Sequence, residues 1–176
     1  MDCRRTNHRV HSPGTSKNSN LHCGSVNCRS ISNKIDDFQG VVCGKNLDIV
    51  GVTETWLNAS FYDNEILSDK RYNIYRRDRG GNRRGGGVML VVKTDLLSYR
   101  ISDLELANSE ILVCDMYPFN RKKYTICVCY RPPDCQQFFD AFAQLLSKLE
   151  SATRVCIIGD FNMPSIIGLR SNNSRK

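Results

Sequence analysis

Long hydrophobic runs and histidines are both scarce in this sequence. A membrane-spanning helix needs roughly 20 consecutive apolar residues, and no stretch of the chain approaches that composition. The N-terminus also lacks the apolar core of a signal peptide, so we expect an intracellular protein with no membrane partner. The histidines are His8, His11 and His22. His8 and His11 lie in a polar segment, where solvated side chains are a simpler interpretation than metal ligands.

The cysteines lack the spacing of a metal site. There are 9 of them, and neither Cys23 and Cys28 nor Cys127 and Cys129 form a C-x-x-C pair. An odd count without a secretion signal argues against a disulfide framework. A free thiol in an apolar run packs as a small hydrophobic side chain. The cysteines in such runs are Cys43, Cys114, Cys127, Cys129 and Cys156. Core packing is therefore the main interpretation, with zinc or disulfides as the alternative.

Charge and composition predict one domain and an anionic partner. The net charge of +7 and a pI near 9.0 favour nucleic acid ahead of a membrane surface. Residues 1–20 contain almost nothing apolar and predict a disordered basic tail. Residues 21–164 are predicted to form the folded domain, and residues 165–176 a second polar, basic tail.

Hydrophobic periodicity predicts a mixed α/β or α+β fold with one sheet and helices on at least one face. We predict strands at 23–28, 47–53, 72–77, 88–92, 110–117, 124–130 and 155–158. Helices are predicted at about 34–45 and 135–151, each with an apolar stripe and each preceding a buried strand.

Polar side chains stand at the ends of several predicted strands. Asp160 and Asn162 follow the last strand, Glu54 follows the strand at 47–53, and Asn27 and Tyr130 end two others. In open α/β sheets ligands gather at the carboxyl ends of strands. A carboxylate that accepts a proton, beside an amide that orients a substrate, suits an active site. The alternative is that Asp160 and Asn162 are ordinary turn formers.

Arginines are concentrated in the hairpin that joins the strands at 72–77 and 88–92. This loop suits the phosphates of a nucleic acid, although a solvated hairpin tip is the alternative for any single arginine. The predicted nucleic-acid contacts are Arg76, Arg77, Arg79, Arg83, Arg84 and, after Tyr130, Arg131.

These motifs, in this order, resemble the endonuclease/exonuclease/phosphatase superfamily, and most closely the N-terminal endonuclease domain of non-LTR retrotransposon polyproteins. The motifs are Asn-Cys-Arg-Ser-Ile from residue 27, Thr-Glu-Thr-Trp-Leu from residue 53, a Gly-rich strand from residue 85, Tyr-Arg-Pro-Pro from residue 130 and Gly-Asp-Phe-Asn from residue 159. The resemblance extends over residues 21–164.

The resemblance implies a DNA-nicking endonuclease that uses Mg²⁺ or Mn²⁺ and acts on DNA, or on RNA. By position, Glu54 resembles the carboxylate that binds the metal, and Asn27 the amide that supports the metal and phosphate. Tyr130 resembles the tyrosine lining the phosphate pocket. Asp160 corresponds to the residue that orients or deprotonates the attacking water, and Asn162 to the amide that positions it. A hard cation prefers such oxygen ligands.

The sequence departs from the family after Gly-Asp-Phe-Asn. The family continues with a second sheet, a late Asp and a Ser-Asp-His run, whereas here a short polar segment follows Asn162. We therefore expect only the first sheet with its flanking helices, an exposed apolar inner face and absent or impaired activity. The alternative function is a non-catalytic remnant that binds nucleic acid through basic loops. A phosphatase or lipid phosphodiesterase on the same fold is a third possibility.

Overall fold

Two four-stranded sheets form the centre of the fold. The structure, a computed structural model, describes residues 20–80, 85–107, 109–118, 122–133 and 135–163. The first sheet contains β1 (Cys23–Asn27), β2 (Ile49–Thr53), β3 (Tyr72–Arg77) and β4 (Val88–Lys93). The second contains β5 (Leu97–Arg100), β6 (Glu110–Tyr117), β7 (Tyr124–Tyr130) and β8 (Val155–Asp160). The α-helices are α1 (Ile35–Gly44), α2 (Asp63–Ile66) and α3 (Gln137–Lys148).

Each sheet combines one parallel pair with antiparallel neighbours. The strand orders are β1-β2-β4-β3 and β5-β6-β7-β8. Strand β1 is parallel to β2, and β7 is parallel to β8; the other neighbouring pairs are antiparallel. A parallel pair requires a crossover connection. Helix α1 lies in the connection from β1 to β2, and α3 in the connection from β7 to β8.

The core is layered. Between the sheets, inward-facing side chains such as Leu90, Leu112 and Val128 form one buried cluster. On the outer face of the first sheet, Phe38 and Val42 of α1 pack against the strands. Helix α3 covers the outer face of the second sheet with an apolar stripe that includes the buried Phe138 and Leu145. No helix among the described residues is long and apolar enough to span a membrane.

The structure confirms the predicted fold class, but the prediction that only the first sheet is present is wrong. The strands at 110–117 and 124–130 do not extend the first sheet. They pair with each other and with β5 and β8, and so build the second sheet themselves. The inner face of the first sheet is therefore covered: Leu90 is 1% exposed and Val92 is fully buried.

The two parallel pairs bring their carboxyl ends to the same end of the sandwich. Asn27 pairs with Thr53 in the first sheet, and Tyr130 pairs with Asp160 in the second. Strands β1 and β8 are the outermost strands of their sheets, and they contact each other across the sandwich. The side chains at these four strand ends can therefore converge on one site.

Candidate active site

A single amide joins two carboxylates at this end of the sandwich. Asn27 Nδ2 lies 2.8 Å from Glu54 Oε1 and 2.8 Å from Asp160 Oδ2. Asn27 ends β1, Glu54 follows β2, and Asp160 ends β8. The structure thus brings together three of the predicted site residues from three separate strands. The arrangement holds both carboxylates on one donor, which partly offsets their mutual repulsion.

Tyr130 and Trp56 complete the surroundings of Glu54. Tyr130 is 5% exposed, and its phenol lies against the Glu54 carboxylate. Burial, together with the negative charge of Glu54, raises the pKa of Tyr130 to about 12. The phenol is therefore a hydrogen-bond donor near neutral pH. Trp56 Nε1 donates to Glu54 Oε2 over a longer distance of 3.4 Å.

Asn162 and Arg131 fix the loop that follows Asp160. The Asn162 N–H donates to Asp160 Oδ1 at 3.0 Å, and Asn162 Nδ2 donates to the Arg131 carbonyl at 2.6 Å. In return, Arg131 Nη1 donates to the Asn162 carbonyl at 2.8 Å. Arg131 is only 8% exposed and stacks over the Phe139 ring. Its guanidinium thus supports the Asp160 loop. The sequence had suggested only a nucleic-acid contact for Arg131, and this internal role was not predicted.

The loops that carry the site share an unusual backbone conformation. The non-glycine residues with positive φ at these strand ends are Arg29 (44°), Ser30 (81°), Glu54 (52°), Trp56 (56°) and Asn162 (45°). Each such residue costs on the order of 1–3 kcal/mol unless its surroundings enforce it, and functional sites concentrate this strain. Here it falls after β1, β2 and β8, the three strands that deliver the polar cluster.

The predicted Gly-rich segment encloses the end of β2. The Trp56 N–H donates to the Gly86 carbonyl at 2.9 Å, and the Thr55 N–H donates to the Gly87 carbonyl at 3.3 Å. Gly86 has a φ of 72°, and a Cβ there would collide with the Arg79 guanidinium. Glycine suits this positive φ and leaves room for the guanidinium. The segment therefore holds the Glu54 loop against β4.

The hairpin arginines that the structure describes bind carboxylates within the protein. Arg76 pairs with Asp63 and Asp78. Arg77 Nη1 lies 3.2 Å from Glu105 Oε2.

Arg79 lies closest to the candidate site. Its Nε is 2.6 Å from Glu110 Oε1, and its guanidinium lies 5.8 Å from the centre of the Tyr130 ring. The sequence did not reveal these partners because Glu105 and Glu110 are distant along the chain. Arg83 and Arg84 lie outside the described residues, so their nucleic-acid contacts stay predictions.

The donors of the cluster suit a hard divalent cation that is completed by substrate oxygens. Among the described residues, no group of three or more His, Cys, Asp or Glu side chains is placed to hold a metal ion unaided. Mg²⁺ is commonly bound by one or two carboxylates with water and phosphate oxygens, and Glu54 with Asp160 meets that requirement. Beside them, an open groove of about 870 Å³ is lined by Asn27, Asp160 and Asn162.

Two residues at the site, Trp56 and Arg29, were missing from the predicted set. Trp56 contacts Glu54 directly, and the Arg29 N–H donates to Asn27 Oδ1 at 3.1 Å. Both lie inside motifs that carry the family resemblance, within two residues of a predicted site residue. Their closeness in sequence to Glu54 and Asn27 is the feature from which they could have been predicted.

Several solved structures have folds similar to that of this chain. The endonuclease domain of TRAS1, a telomere-specific non-LTR retrotransposon, matches 80% of this chain and 58% of its own, with 14% identity and a TM-score of 0.59. The AP endonuclease LMAP from Leishmania major matches 77% of this chain and 53% of its own, with 16% identity and a TM-score of 0.61.

A third similar structure is D. rerio TDP2 complexed with a single-strand DNA product. It matches 81% of this chain and 61% of its own, with 14% identity and a TM-score of 0.54. The chain thus spans less than two thirds of the length of each of these structures. A search of curated protein sequences gave no significant match.

A sequence profile of the Endonuclease/Exonuclease/phosphatase family matches residues 24–172. The match includes every strand of both sheets except the first residue of β1. This chain belongs to the Endonuclease/Exonuclease/phosphatase family.

Proposed function

We propose that this chain carries the catalytic carboxylates of a metal-dependent endonuclease that cleaves phosphodiester bonds in DNA, of the retrotransposon type. The observation that carries the proposal is the Asn27 amide, which holds Glu54 and Asp160 together beside an open groove. The likeness to DNA-processing structures and the net charge of +7 support a nucleic-acid substrate.

Glu54 is the residue we propose to hold the metal, with Asp160 close enough to share it. Nucleases of this family generally depend on a divalent metal, and Mg²⁺ or Mn²⁺ suits these oxygen donors. When held there, such a cation would supply positive charge against the negative charge that develops on the phosphodiester. Asn27 contributes by fixing the two carboxylates, and the protonated Tyr130 contributes a hydroxyl donor that faces Glu54.

Asp160 is proposed to accept a proton from the attacking water, while Asn162 positions the loop around it. As the water oxygen bonds to phosphorus, the bond from phosphorus to the leaving oxygen breaks, and that oxygen takes a proton from solvent. The described part of the chain places no histidine at this cluster. His22 lies at the opposite end of β1, where its backbone N–H donates to the Asp48 carboxylate. We therefore propose that these residues alone give impaired cleavage, since each missing stabilising donor costs about 10²–10³ in rate.

Nicking of supercoiled plasmid in the presence of Mg²⁺ tests the proposal. We expect slow nicking by the wild-type chain and none by Glu54→Gln, in which an amide oxygen still accepts the hydrogen bond from Asn27. Glu150→Gln is the matched control, because Glu150 is exposed at the far end of α3. The absence of nicking by folded wild-type protein at every Mg²⁺ and Mn²⁺ concentration contradicts catalysis by this chain.

The second candidate is a non-catalytic module that binds nucleic acid, which the high pI and the lack of a described histidine at the cluster favour. It predicts DNA binding that weakens with salt and is undiminished in Glu54→Gln, without nicking. Binding that ignores ionic strength contradicts this candidate.

A further inference from the structure

Arg29 stands beside the carboxylate cluster, and its side chain is exposed. It lies in the loop from Cys28 to Lys34 that leads from β1 into α1. Its N–H is bonded to Asn27 Oδ1, the oxygen of the same amide that donates to Glu54 and Asp160. The backbone of Arg29 is thus one hydrogen bond away from the proposed catalytic groups.

The other arginines in the described residues use their guanidinium groups within the protein. Arg71, Arg76, Arg77, Arg79 and Arg100 pair with carboxylates. Arg131 binds backbone carbonyls, and Arg154 binds Thr153 and lies over the Tyr124 ring. Among the described arginines, Arg29 alone has a guanidinium with no hydrogen bond, ion pair or ring contact. This cation is available to a ligand at the mouth of the site.

The backbone around Arg29 is held rigidly. Arg29 and Ser30 both have positive φ, a conformation that persists only when the surroundings enforce it. Here the Cys28 N–H donates to the Thr53 carbonyl at 3.0 Å, and the Ser30 N–H donates to the Glu54 carbonyl at 2.9 Å. Lys34 Nζ adds a bond of 2.7 Å to the Cys28 carbonyl. The backbone of Arg29 therefore has a fixed position relative to Glu54, and its exposed side chain extends from that position into solvent.

We infer that Arg29 binds a backbone phosphate of duplex DNA next to the phosphodiester that occupies the Glu54–Asp160 site. The inference rests on the proposed function and adds a positioning residue to it. A guanidinium suits this task because its planar donors match two phosphate oxygens at once. Such a contact fixes the register of the strand and reads no base sequence.

Equilibrium binding in EDTA tests the inference without requiring catalysis. The probe is a fluorescent duplex oligonucleotide, titrated by anisotropy between about 50 and 200 mM salt. Arg29→Gly removes the charge and suits the positive φ, so the variant is expected to stay folded. We expect its dissociation constant to rise about tenfold at low salt. The plot of the logarithm of the association constant against the logarithm of the salt concentration should become shallower by about 1.

Two further variants isolate the cause. Arg29→Lys retains the charge and is expected to restore most of the salt slope while binding more weakly than wild type. Arg71→Ala is the matched control: Arg71 is also exposed, but it precedes β3 at the opposite end of the first sheet. Equal losses in Arg29→Gly and Arg71→Ala, an unchanged slope in Arg29→Gly, or no DNA binding by wild type each overturn the inference.

The plasmid assay separates this inference from the proposed function. If wild type binds DNA with the Arg29-dependent slope but does not nick, the endonuclease proposal fails and the phosphate contact stands. If wild type nicks and Arg29→Gly nicks with an unchanged half-saturating DNA concentration, the phosphate contact fails and the endonuclease proposal stands. We expect Arg29→Gly to raise that concentration about tenfold and to lower the maximal rate by less.

Discussion

Asn27 of β1 donates a hydrogen bond of 2.8 Å to Asp160 of β8, although the two residues lie 133 positions apart and in different sheets. The same nitrogen donates to Glu54. One side-chain amide therefore ties the two sheets together at the point where the polar groups converge.

Replacing this donor with a third carboxylate should disrupt the cluster. Asn27→Asp is expected to lose about 10²-fold in Mg²⁺-dependent nicking, because a donor becomes a like charge beside Glu54 and Asp160. Repulsion should raise the folded-state pKa of the new carboxyl group above its unfolded value. Stability then stays near that of wild type at low pH and falls as the pH rises through that pKa.

Chemical denaturation at several pH values measures that change in stability. Asn46→Asp is the matched control, because Asn46 is exposed at the C-terminal end of α1, remote from the site. Equal losses in the two variants, or a larger loss of Asn27→Asp relative to wild type at acid pH than at neutral pH, would contradict this prediction.

Gly159 should tolerate no side chain. Its φ is 152°, and a Cβ there would collide with the backbone carbonyl oxygen of Cys129 in β7. Gly159→Ala is expected to reduce the free energy of unfolding by about 3 kcal/mol or more, because backbone cannot move aside as a side chain can. Urea unfolding followed by circular dichroism measures the change.

Gly40 provides the opposite case for the same substitution. It lies within α1, and a Cβ there would meet nothing within 4 Å. Gly40→Ala is expected to stabilise the protein by about 0.5–1 kcal/mol, since alanine loses less conformational entropy in a helix. Stabilisation by Gly159→Ala would count against the assigned geometry of β8, and destabilisation by Gly40→Ala would count against the open space beside α1.

The Tyr130 phenol should ionise only in strongly alkaline solution. Burial and the charge of Glu54 raise its pKa to about 12 from the ordinary 10.0. The stability associated with the protonated phenol is therefore complete below about pH 10 and is lost as the pH rises through about 12. Ultraviolet difference titration of wild type against Tyr130→Phe should show a late tyrosine in the folded state. In urea, the tyrosine ionisation that distinguishes wild type from Tyr130→Phe should occur near pH 10.

Thiol reactivity should separate the cysteines by position. Cys114, Cys127 and Cys129 are buried, and burial raises the pKa of each thiol. Cys23 and Cys156 are exposed. Alkylation of the folded protein, followed by peptide mass spectrometry, should modify the exposed pair first and the buried three only after unfolding. Modification of Cys127 at the rate of Cys156 would contradict the packing of α3 on the second sheet.

The strands were more predictable than their arrangement. The predicted bounds of β3, β6 and β7 coincide with those observed, because each is an alternating or apolar run that ends in turn residues. β5 was missed because it has four residues, of which Leu97 and Tyr99 are exposed. Sheet membership depends on pairing between distant segments, so the second sheet was wrongly assigned to residues beyond Asn162.

The residues of the site also divide into those that the sequence predicted and those that it did not. The carboxylates and amides at strand ends were predictable because their positions follow from where each strand stops. The internal role of Arg79 was not, because its partner Glu110 is 31 residues away. Cys156 shows the same limit: it lies in an apolar run, yet β8 is an edge strand and leaves it exposed.

The contact between β1 and β8 also bears on when the polar cluster is assembled during folding. Each parallel pair can form early, because its helix joins neighbouring segments of sequence. The contact between these two edge strands must close a loop of nearly the whole described chain, which makes it entropically the most costly step. A nascent chain that ends before β8 therefore holds Asn27 and Glu54 without Asp160. The polar cluster at the strand ends is therefore complete only after β8 has been synthesised and has docked beside β1.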